Sequence, residues 1–250
     1  MSGTIERDLA WEGCLNVRDL GGHATGDGET TRFGAVVRAD SIRKLTDAGW
    51  GDLVGHGVTT IVDLRMDEEL EADPPAELPV EVVHVNLFGG AEPDYGQHLD
   101  ALAGAAASPS EATKAVYLDF LERFAPNVAA AFRAIADASE GAVLVHCQGG
   151  KDRTGLVVAL LLSLAGVERE EVSADYAISE RKLAERQATW EAEADTAEDR
   201  ERRRQMGLCP PEAMLGVLEE LERRYGGVRQ YLLAAGSTED ELDRAVGRLR

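Results

Sequence analysis

The sequence is poor in cysteine and poor in positive charge. Its three cysteines, Cys14, Cys147 and Cys209, are odd in number, far apart and without the spacing of metal ligands. This excludes a disulfide framework and indicates a reducing compartment. Lysine and arginine number 26 against 46 aspartate and glutamate residues, which gives a formal net charge of −20 at pH 7. We therefore expect no nucleic-acid partner, and a phosphate-bearing substrate needs a local cluster of basic residues.

Long hydrophobic runs are missing as well. The most apolar run, Leu156 to Ala165, is far shorter than the roughly 20 residues that cross a bilayer, so it predicts a buried helix and no integral membrane segment. The first ten residues, MSGTIERDLA, lack the basic and then apolar pattern of a secretory signal. The expectation is a cytoplasmic protein, with leaderless secretion as the open alternative. The sequence leaves the oligomeric state open.

Hydrophobic residues make up 44% of the chain and recur along its whole length. Short β-rich runs alternate with helical patterns and lie at 33–38, 58–64, 81–87 and 141–146. After Gly155 the chain is almost wholly helical. This order predicts one α/β domain over residues 1–250, with a mostly parallel central sheet flanked by helices and a helical C-terminal third.

One segment interrupts this pattern. Residues 88–110 are rich in Gly, Ala, Pro and Ser, and a helix-like stretch follows them. Such a composition is typical of a surface excursion. We predict a lid or excursion at about 88–125.

The stretch from Val143 to Gly166 carries the strongest functional signal. A β-like run ends at His146, a glycine-containing loop follows, and an apolar helix begins near Thr154. Such a loop binds anions, because backbone N–H groups at a helix N-terminus lack intrahelical partners and the helix dipole adds positive charge. Lys151 supplies a point charge, and Arg153 supplies a planar fork for two phosphate oxygens. The predicted phosphate-binding residues are Gln148, Gly149, Gly150, Lys151, Arg153 and Thr154.

Cys147 begins this loop and is the predicted nucleophile. A thiol that faces a helix N-terminus and nearby cations is expected to ionise to the thiolate, which is a strong nucleophile. The inferred chemistry is attack of the Cys147 sulfur on phosphorus, followed by hydrolysis of the thiophosphate by water. This chemistry requires no metal and no cofactor.

The run His-Cys-Gln-Gly-Gly-Lys-Asp-Arg-Thr at 146–154 resembles the signature loop of cysteine-based protein tyrosine phosphatases. Together with Asn-Val-Arg-Asp-Leu-Gly-Gly at 16–22, it resembles the atypical bacterial tyrosine/serine phosphatases, some of which accept phosphoinositides. The likeness covers essentially the whole chain. It implies a tyrosine phosphatase-like fold, Cys147 as nucleophile, Arg153 as a clamp on the transition state and Thr154 as a hydroxyl that stabilises the departing thiolate.

Three aspartates compete for the role of general acid, since the chain has no Trp-Pro-Asp loop of the kind found in larger tyrosine phosphatases. Asp152 is favoured, because it lies inside the loop and resembles an aspartate placed similarly in myotubularin-like phosphatases. Asp63 is the second candidate, because it ends a strand at the expected ligand-binding edge of the sheet. Asp119 lies 28 residues before Cys147, near the spacing familiar from dual-specificity phosphatases, but its surroundings predict a helix surface.

Other anion-binding loops fit this sequence less well. A Walker A loop needs Ser or Thr directly after its lysine, whereas Asp152 follows Lys151. A rhodanese-type sulfurtransferase usually holds fewer residues between its cysteine and the closing arginine than the five found here.

Residues around the loop have structural interpretations too. His146 is expected to support the loop from the sheet side, and Arg65 to pair with neighbouring acids. Residues 16–22 predict either a simple turn or a support for the active site. Tyr117 and Tyr176 have helical spacings that favour core packing.

The predicted function is therefore hydrolysis of phosphomonoesters without a cofactor. A phosphorylated protein is the expected partner, with phosphotyrosine as the first substrate and phosphoserine or phosphothreonine also open. Phosphoinositides are the alternative substrate, because Lys151 adds a second cation. A module that binds phosphate without turnover is the alternative of a different class.

Overall fold

The computed structural model describes residues 7–73, 80–89 and 92–250. Its centre is a five-stranded sheet in the order β1-β2-β5-β3-β4. The strands are β1 (Arg18–Asp19), β2 (Val36–Ala39), β3 (Val58–Asp63), β4 (Glu81–His84) and β5 (Ala142–His146). β1 pairs with β2 antiparallel, and the other three pairings of the described sheet are parallel. The predicted α/β fold with a mostly parallel sheet is confirmed.

Helices surround this sheet and fill the C-terminal third, as the sequence predicts. They are α1 (Asp47–Gly55), α2 (Asp67–Ala72), α3 (Tyr95–Ala105), α4 (Pro109–Arg123), α5 (Ala125–Asp137), α6 (Asp152–Leu164), α7 (Arg169–Lys182), α8 (Ala184–Ala192), α9 (Ala197–Gly207), α10 (Pro211–Tyr225), α11 (Val228–Ala235) and α12 (Glu239–Leu249). A short 3₁₀ helix, Ile42–Lys44, precedes α1. In the described part of the chain, no helix combines the length and the apolar character of a membrane span.

Two apolar layers enclose the sheet because neighbouring strand residues point to opposite faces. On one face, Val143 and Val145 of β5 belong to the same buried cluster as Phe132 of α5. On the other face, Leu144 joins a second cluster that includes Leu53 of α1. Burial of each such side chain stabilises the fold by about 1.5–3 kcal/mol. The central strand is thereby held on both sides, and the position of the loop that leaves its C-terminal end is fixed.

Most of the predicted excursion at 88–125 is helical. Tyr95–Ala105 forms α3, whose alanines and leucines favour helix despite two glycines. Ser108 caps α4 by accepting a hydrogen bond from the Glu111 N–H, and the helix buries Tyr117. Residues 90–91 lie outside the described residues. Movement of this segment as a lid stays a prediction.

A buried network of three charged side chains lies beneath the loop. Asp175 of α7 accepts from Arg18 Nε at 2.8 Å and from Arg38 Nη1 at 2.7 Å. Arg38 also donates from Nη2 to the Gly150 carbonyl at 2.8 Å. The three charged side chains are buried, so each depends on the others for a counter-charge. The network fastens α7 to β1, β2 and the loop.

Asp175→Asn keeps the shape of the side chain and removes its charge. We expect the free energy of unfolding to fall by about 3–5 kcal/mol, because two buried arginines then lack a counter-charge. Urea unfolding at neutral pH measures the change. The matched control Asp243→Asn breaks an exposed pair with Arg229 and should change the free energy by less than about 1 kcal/mol. Equal losses in the two variants would contradict this prediction.

Acidification tests the same network. Burial by itself would raise the pKa of Asp175, but Arg18 and Arg38 outweigh it and hold that pKa well below its ordinary value. The ionised carboxylate therefore stabilises the fold fully above the unfolded-state pKa of about 3.9, and the stabilisation is lost as pH falls toward the folded-state pKa. We expect the stability difference between wild type and Asp175→Asn to shrink below about pH 4. A difference that stays constant on acidification to about pH 3 would count against it.

Candidate active site

The loop between β5 and α6 folds around the Cys147 sulfur. The Gly150 N–H donates to Sγ at 3.3 Å, and Gly150 takes a φ of +63°. A Cβ at this position would lie 2.3 Å from the Ala39 carbonyl oxygen, so only glycine fits. The sulfur is buried and lies just before the N-terminus of α6. The N–H donor and the helix dipole both stabilise negative charge on this sulfur.

The other two cysteines lie in different surroundings. Cys14 donates its thiol to the Ser41 carbonyl, and burial raises its pKa well above the ordinary value. Burial likewise raises the pKa of Cys209 to about 12. Both side chains therefore stay protonated thiols at neutral pH.

Arg153 lies in the first turn of α6, and its fork is bound by Glu69 of α2. Nη2 donates to Glu69 Oε1 at 2.9 Å, and Nη1 donates to Oε2 and, at 3.3 Å, to the Leu64 carbonyl. Burial opposes ionisation of Glu69, but Arg153 outweighs it and lowers the pKa of that carboxyl. The arginine is thereby held in one orientation. Sequence reasoning missed Glu69, which stands in an acidic run with no signal to distinguish it.

Lys151 makes its contacts at the end of α9. Its ammonium donates to the Met206 carbonyl and, at 3.4 Å, to the Leu208 carbonyl. It also lies 3.3 Å from Asp152 Oδ1. The carbonyl groups at a helix C-terminus are free acceptors with partial negative charge, which explains the attraction.

Asp152 is the first residue of α6, and its side chain is 44% exposed. Its Oδ1 accepts a hydrogen bond from the Tyr117 hydroxyl at 2.6 Å. Asp152 and Arg153 line a cavity of about 450 Å³ between α3, α4 and α9. Of the three aspartates that the sequence offers, this one faces open space beside the loop.

Asp63 lies at the expected edge of the sheet, paired in register with His146. Both of its oxygens accept hydrogen bonds from Arg65, at 2.8–3.1 Å. Burial would raise the pKa of Asp63, but His146 and Arg65 outweigh it and lower that pKa. The carboxylate is held ionised, and the structural pairing predicted for Arg65 is confirmed.

Asp119 lies on the opposite side of α4 from Tyr117. Residues two positions apart in a helix are separated by about 200° around its axis. Because Tyr117 faces Asp152, Asp119 points away from it. Its carboxylate instead accepts from the Tyr95 hydroxyl at 2.6 Å and contacts His98 Nε2 at 2.8 Å. The residue is on a helix, as predicted, and it does not reach the loop.

The segment at 16–22 supports the loop and also forms a turn. Asn16 Nδ2 donates to the Gly150 carbonyl at 3.0 Å and to the Gly149 carbonyl at 3.4 Å. Asp19 accepts from the Gly21 N–H at 2.7 Å, and Gly22 has a φ of +78°. The segment is therefore more than a simple turn, because it also holds the carbonyl groups of the loop.

Two further residues are buried where β5 ends and where α6 begins. His146 is buried, its Nδ1 lies 3.2 Å from the Cys147 carbonyl oxygen, and burial lowers its pKa. The buried Thr154 hydroxyl has no hydrogen-bond partner among the residues that the structure describes. No cluster of three or more potential metal ligands occurs in that same part of the chain.

Comparison with known proteins gives the family of this chain. The model of the tyrosine phosphatase family matches residues 9–250. A tyrosine-protein phosphatase of Nostoc commune is 33% identical over 225 residues, which cover 86% of this chain and 74% of that protein. The triple specificity protein phosphatase PtpB of Mycobacterium tuberculosis is 29% identical over 258 residues, which cover 94% and 90% respectively. The chain belongs to the tyrosine phosphatase family.

Proposed function

We propose that this tyrosine phosphatase cleaves phosphate esters with Cys147 as nucleophile, Arg153 as the clamp on the phosphoryl oxygens and Asp152 as the general acid. The sulfur attacks phosphorus, the P–O bond to the leaving group breaks, and Asp152 gives its proton to the departing oxygen. Arg153 and the loop N–H groups bind the charge that develops on the phosphoryl oxygens. The observation that carries the proposal is the hydrogen bond from the Gly150 N–H to the Cys147 sulfur at the N-terminus of α6.

The second step returns the enzyme to its starting state. Asp152, now a carboxylate, takes a proton from water as the water oxygen attacks phosphorus. The S–P bond breaks and Cys147 leaves as a thiolate. The unpartnered Thr154 hydroxyl, buried next to the loop, is the donor assigned to that thiolate. The remaining predicted loop residues, Gln148, Gly149 and Gly150, supply the backbone that encloses the phosphate.

The cavity beside Asp152 and Arg153 favours an aromatic leaving group. Its walls are largely apolar and include Phe88, Val116 and Phe120. A phosphotyrosine ring can lie against these walls while its phosphate reaches the loop. Phosphotyrosine is therefore the first substrate we propose, and the name of the Mycobacterium tuberculosis relative supports testing phosphoserine and phosphothreonine as well.

Phosphoinositides are the second proposed substrate class. Lys151 stands beside the loop and would meet a second phosphate on the same ligand. Its ammonium must first exchange the carbonyls of α9 for that phosphate. Phosphate binding without turnover is less consistent with the site, because binding alone uses neither the Cys147 nucleophile nor an acid.

The first test is phosphate release from matched phosphotyrosine and phosphoserine peptides and from a phosphoinositide, in the presence of a chelator. We expect Cys147→Ser to lower turnover by at least about 10³-fold, because the hydroxyl is a far weaker nucleophile than a thiolate. Cys14→Ser, at a cysteine that only donates to a backbone carbonyl, is the control and should keep its activity. Wild-type protein that binds phosphate and turns over none of the substrates would favour the binding module.

A second test assigns the acid. Asp152→Asn should lower kcat by about 10²–10⁴-fold for an alkyl phosphate, whose leaving group needs the proton, and far less for para-nitrophenyl phosphate. Asp63→Asn is the comparison variant, and any loss there should be equal for the two substrates. An equal loss for both substrates in Asp152→Asn would remove Asp152 from the role.

A third test concerns Glu69. Glu69→Ala frees the Arg153 guanidinium from its orienting partner, so we expect kcat/KM to fall by about 10-fold or more. Glu69→Gln keeps one acceptor oxygen and should lose less. A rise in kcat/KM in either variant would show instead that Glu69 competes with the phosphate for Arg153.

A further inference from the structure

Two buried tyrosine hydroxyls form a chain behind Asp152. The Tyr117 hydroxyl of α4 lies 2.6 Å from Asp152 Oδ1, and the Tyr176 hydroxyl of α7 lies 2.9 Å from that of Tyr117. The two rings pack edge to face, with centroids 6.0 Å apart. Core packing alone, which the sequence predicts for both residues, does not require the hydroxyls to line up toward a carboxylate.

The donor of each hydrogen bond between Tyr176, Tyr117 and Asp152 follows from the protonation of Tyr117. Burial and the nearby Asp152 raise the pKa of Tyr117 well above its ordinary value, so its hydroxyl keeps its proton. Tyr117 has one proton, and it points to Asp152. The bond between the tyrosines is therefore donated by Tyr176, and each bond polarises and strengthens the other.

The side chains that carry both hydroxyls are closely packed. Tyr117 and Tyr176 are almost fully buried, and Tyr117 also packs against Phe120. Tyr176 lies so close to α6 that a Cβ at Gly155 would be 3.1 Å from its ring. The hydroxyl chain therefore has a set position relative to the first turn of α6, where Asp152 stands.

The two carboxylate oxygens of Asp152 differ in their contacts. Tyr117 donates to Oδ1, and the Lys151 ammonium lies 3.3 Å from the same oxygen. Within the described residues no hydrogen bond reaches Oδ2. Asp100 of α3 and Arg202 of α9 also line the cavity and pair with each other at 3.2 Å.

We infer that Tyr117, held in turn by Tyr176, is a positioning residue that fixes the Asp152 carboxyl with Oδ1 occupied and Oδ2 free for the leaving oxygen. The inference rests on the proposed role of Asp152 as acid. In the step it serves, the proton on Oδ2 passes to the ester oxygen as the P–O bond breaks, and the resulting carboxylate keeps its Oδ1 contacts. Tyr117 transfers no proton. Without it, the half-exposed carboxyl turns among several rotamers and presents its proton less often.

The test is the dependence of kcat on leaving group across a series of aryl phosphates and one alkyl phosphate. Tyr117→Phe should lower kcat by about 10-fold or more for the poorest leaving group and by less than about 2-fold for para-nitrophenyl phosphate, with KM unchanged. Tyr176→Phe should show the same trend with a smaller amplitude. It is also the second variant if Tyr117→Phe fails to fold.

Two controls separate positioning from general loss of structure. Tyr231 is a buried tyrosine whose hydroxyl donates to the Leu121 carbonyl at 2.7 Å, so any loss in Tyr231→Phe should be equal for all leaving groups. In an Asp152→Asn background, Tyr117→Phe should cause no further change in the leaving-group dependence, because there is no acid left to position.

The outcomes distinguish the inference from the proposed function. If Asp152→Asn is sensitive to the leaving group and neither Tyr117→Phe nor Tyr176→Phe is, the positioning role is overturned and Asp152 stays the acid. If Asp152→Asn itself lacks that sensitivity, both the acid assignment and the inference are overturned. A leaving-group effect of Tyr117→Phe that persists in full in the Asp152→Asn background would also overturn the inference.

Discussion

The rest of the site depends on the buried ion pairs of the Asp175 carboxylate with Arg18 and Arg38. Asp175 Oδ1 accepts from Arg18, its Oδ2 accepts from Arg38 and from a second nitrogen of Arg18, and Arg38 also donates to the Gly150 carbonyl. These charges are buried, so water cannot replace any of them, and the loss of one would leave the others uncompensated in an apolar interior. Helix α7, the edge of the sheet and the loop between β5 and α6 are thereby joined at a single point. The loop N–H groups keep their direction because side chains beneath them fix the loop carbonyl.

Acidic partners explain how a chain with a net charge of −20 maintains a cationic site. Arg153 is paired with Glu69, and Arg186 of α8, next to Gly149, is paired with Asp40 at 3.2 Å. Each carboxylate lowers the cost of holding a cation in place and also sets its orientation. In the proposed mechanism, a phosphate that enters the loop meets arginines that are already directed, and preorganised groups of this kind stabilise a transition state.

The proposed nucleophile and the proposed acid are positioned by different parts of the fold. The nucleophile Cys147 follows the central strand and is fixed by the sheet. The acid Asp152 begins α6 and is held by hydroxyls from α4 and α7. Packing changes among the helices can therefore alter protonation of the leaving group while the sulfur and its hydrogen bond stay in place. In the proposed mechanism, this division gives the helical part of the chain a role in the chemistry as well as in the fold.

The loop between β5 and α6 could be predicted from the sequence because its information is local. A buried strand, two glycines, the cations and a helix start all lie within one short stretch, and their periodicity and backbone requirements are legible there. The same local signals predicted the parallel sheet and most helices, whereas the Gly- and Ala-rich composition of α3 predicted a surface excursion where a helix forms.

The hydrogen-bond partner of each side chain depends on tertiary structure. Asn16 donates to a carbonyl 134 residues away, and Glu69 binds Arg153 across 84 residues. The sequence by itself thus determined the fold class and the place of the loop between a buried strand and a helix. Only the tertiary structure decided which carboxylates are occupied and which stays open, because that depends on burial and on contacts between distant segments.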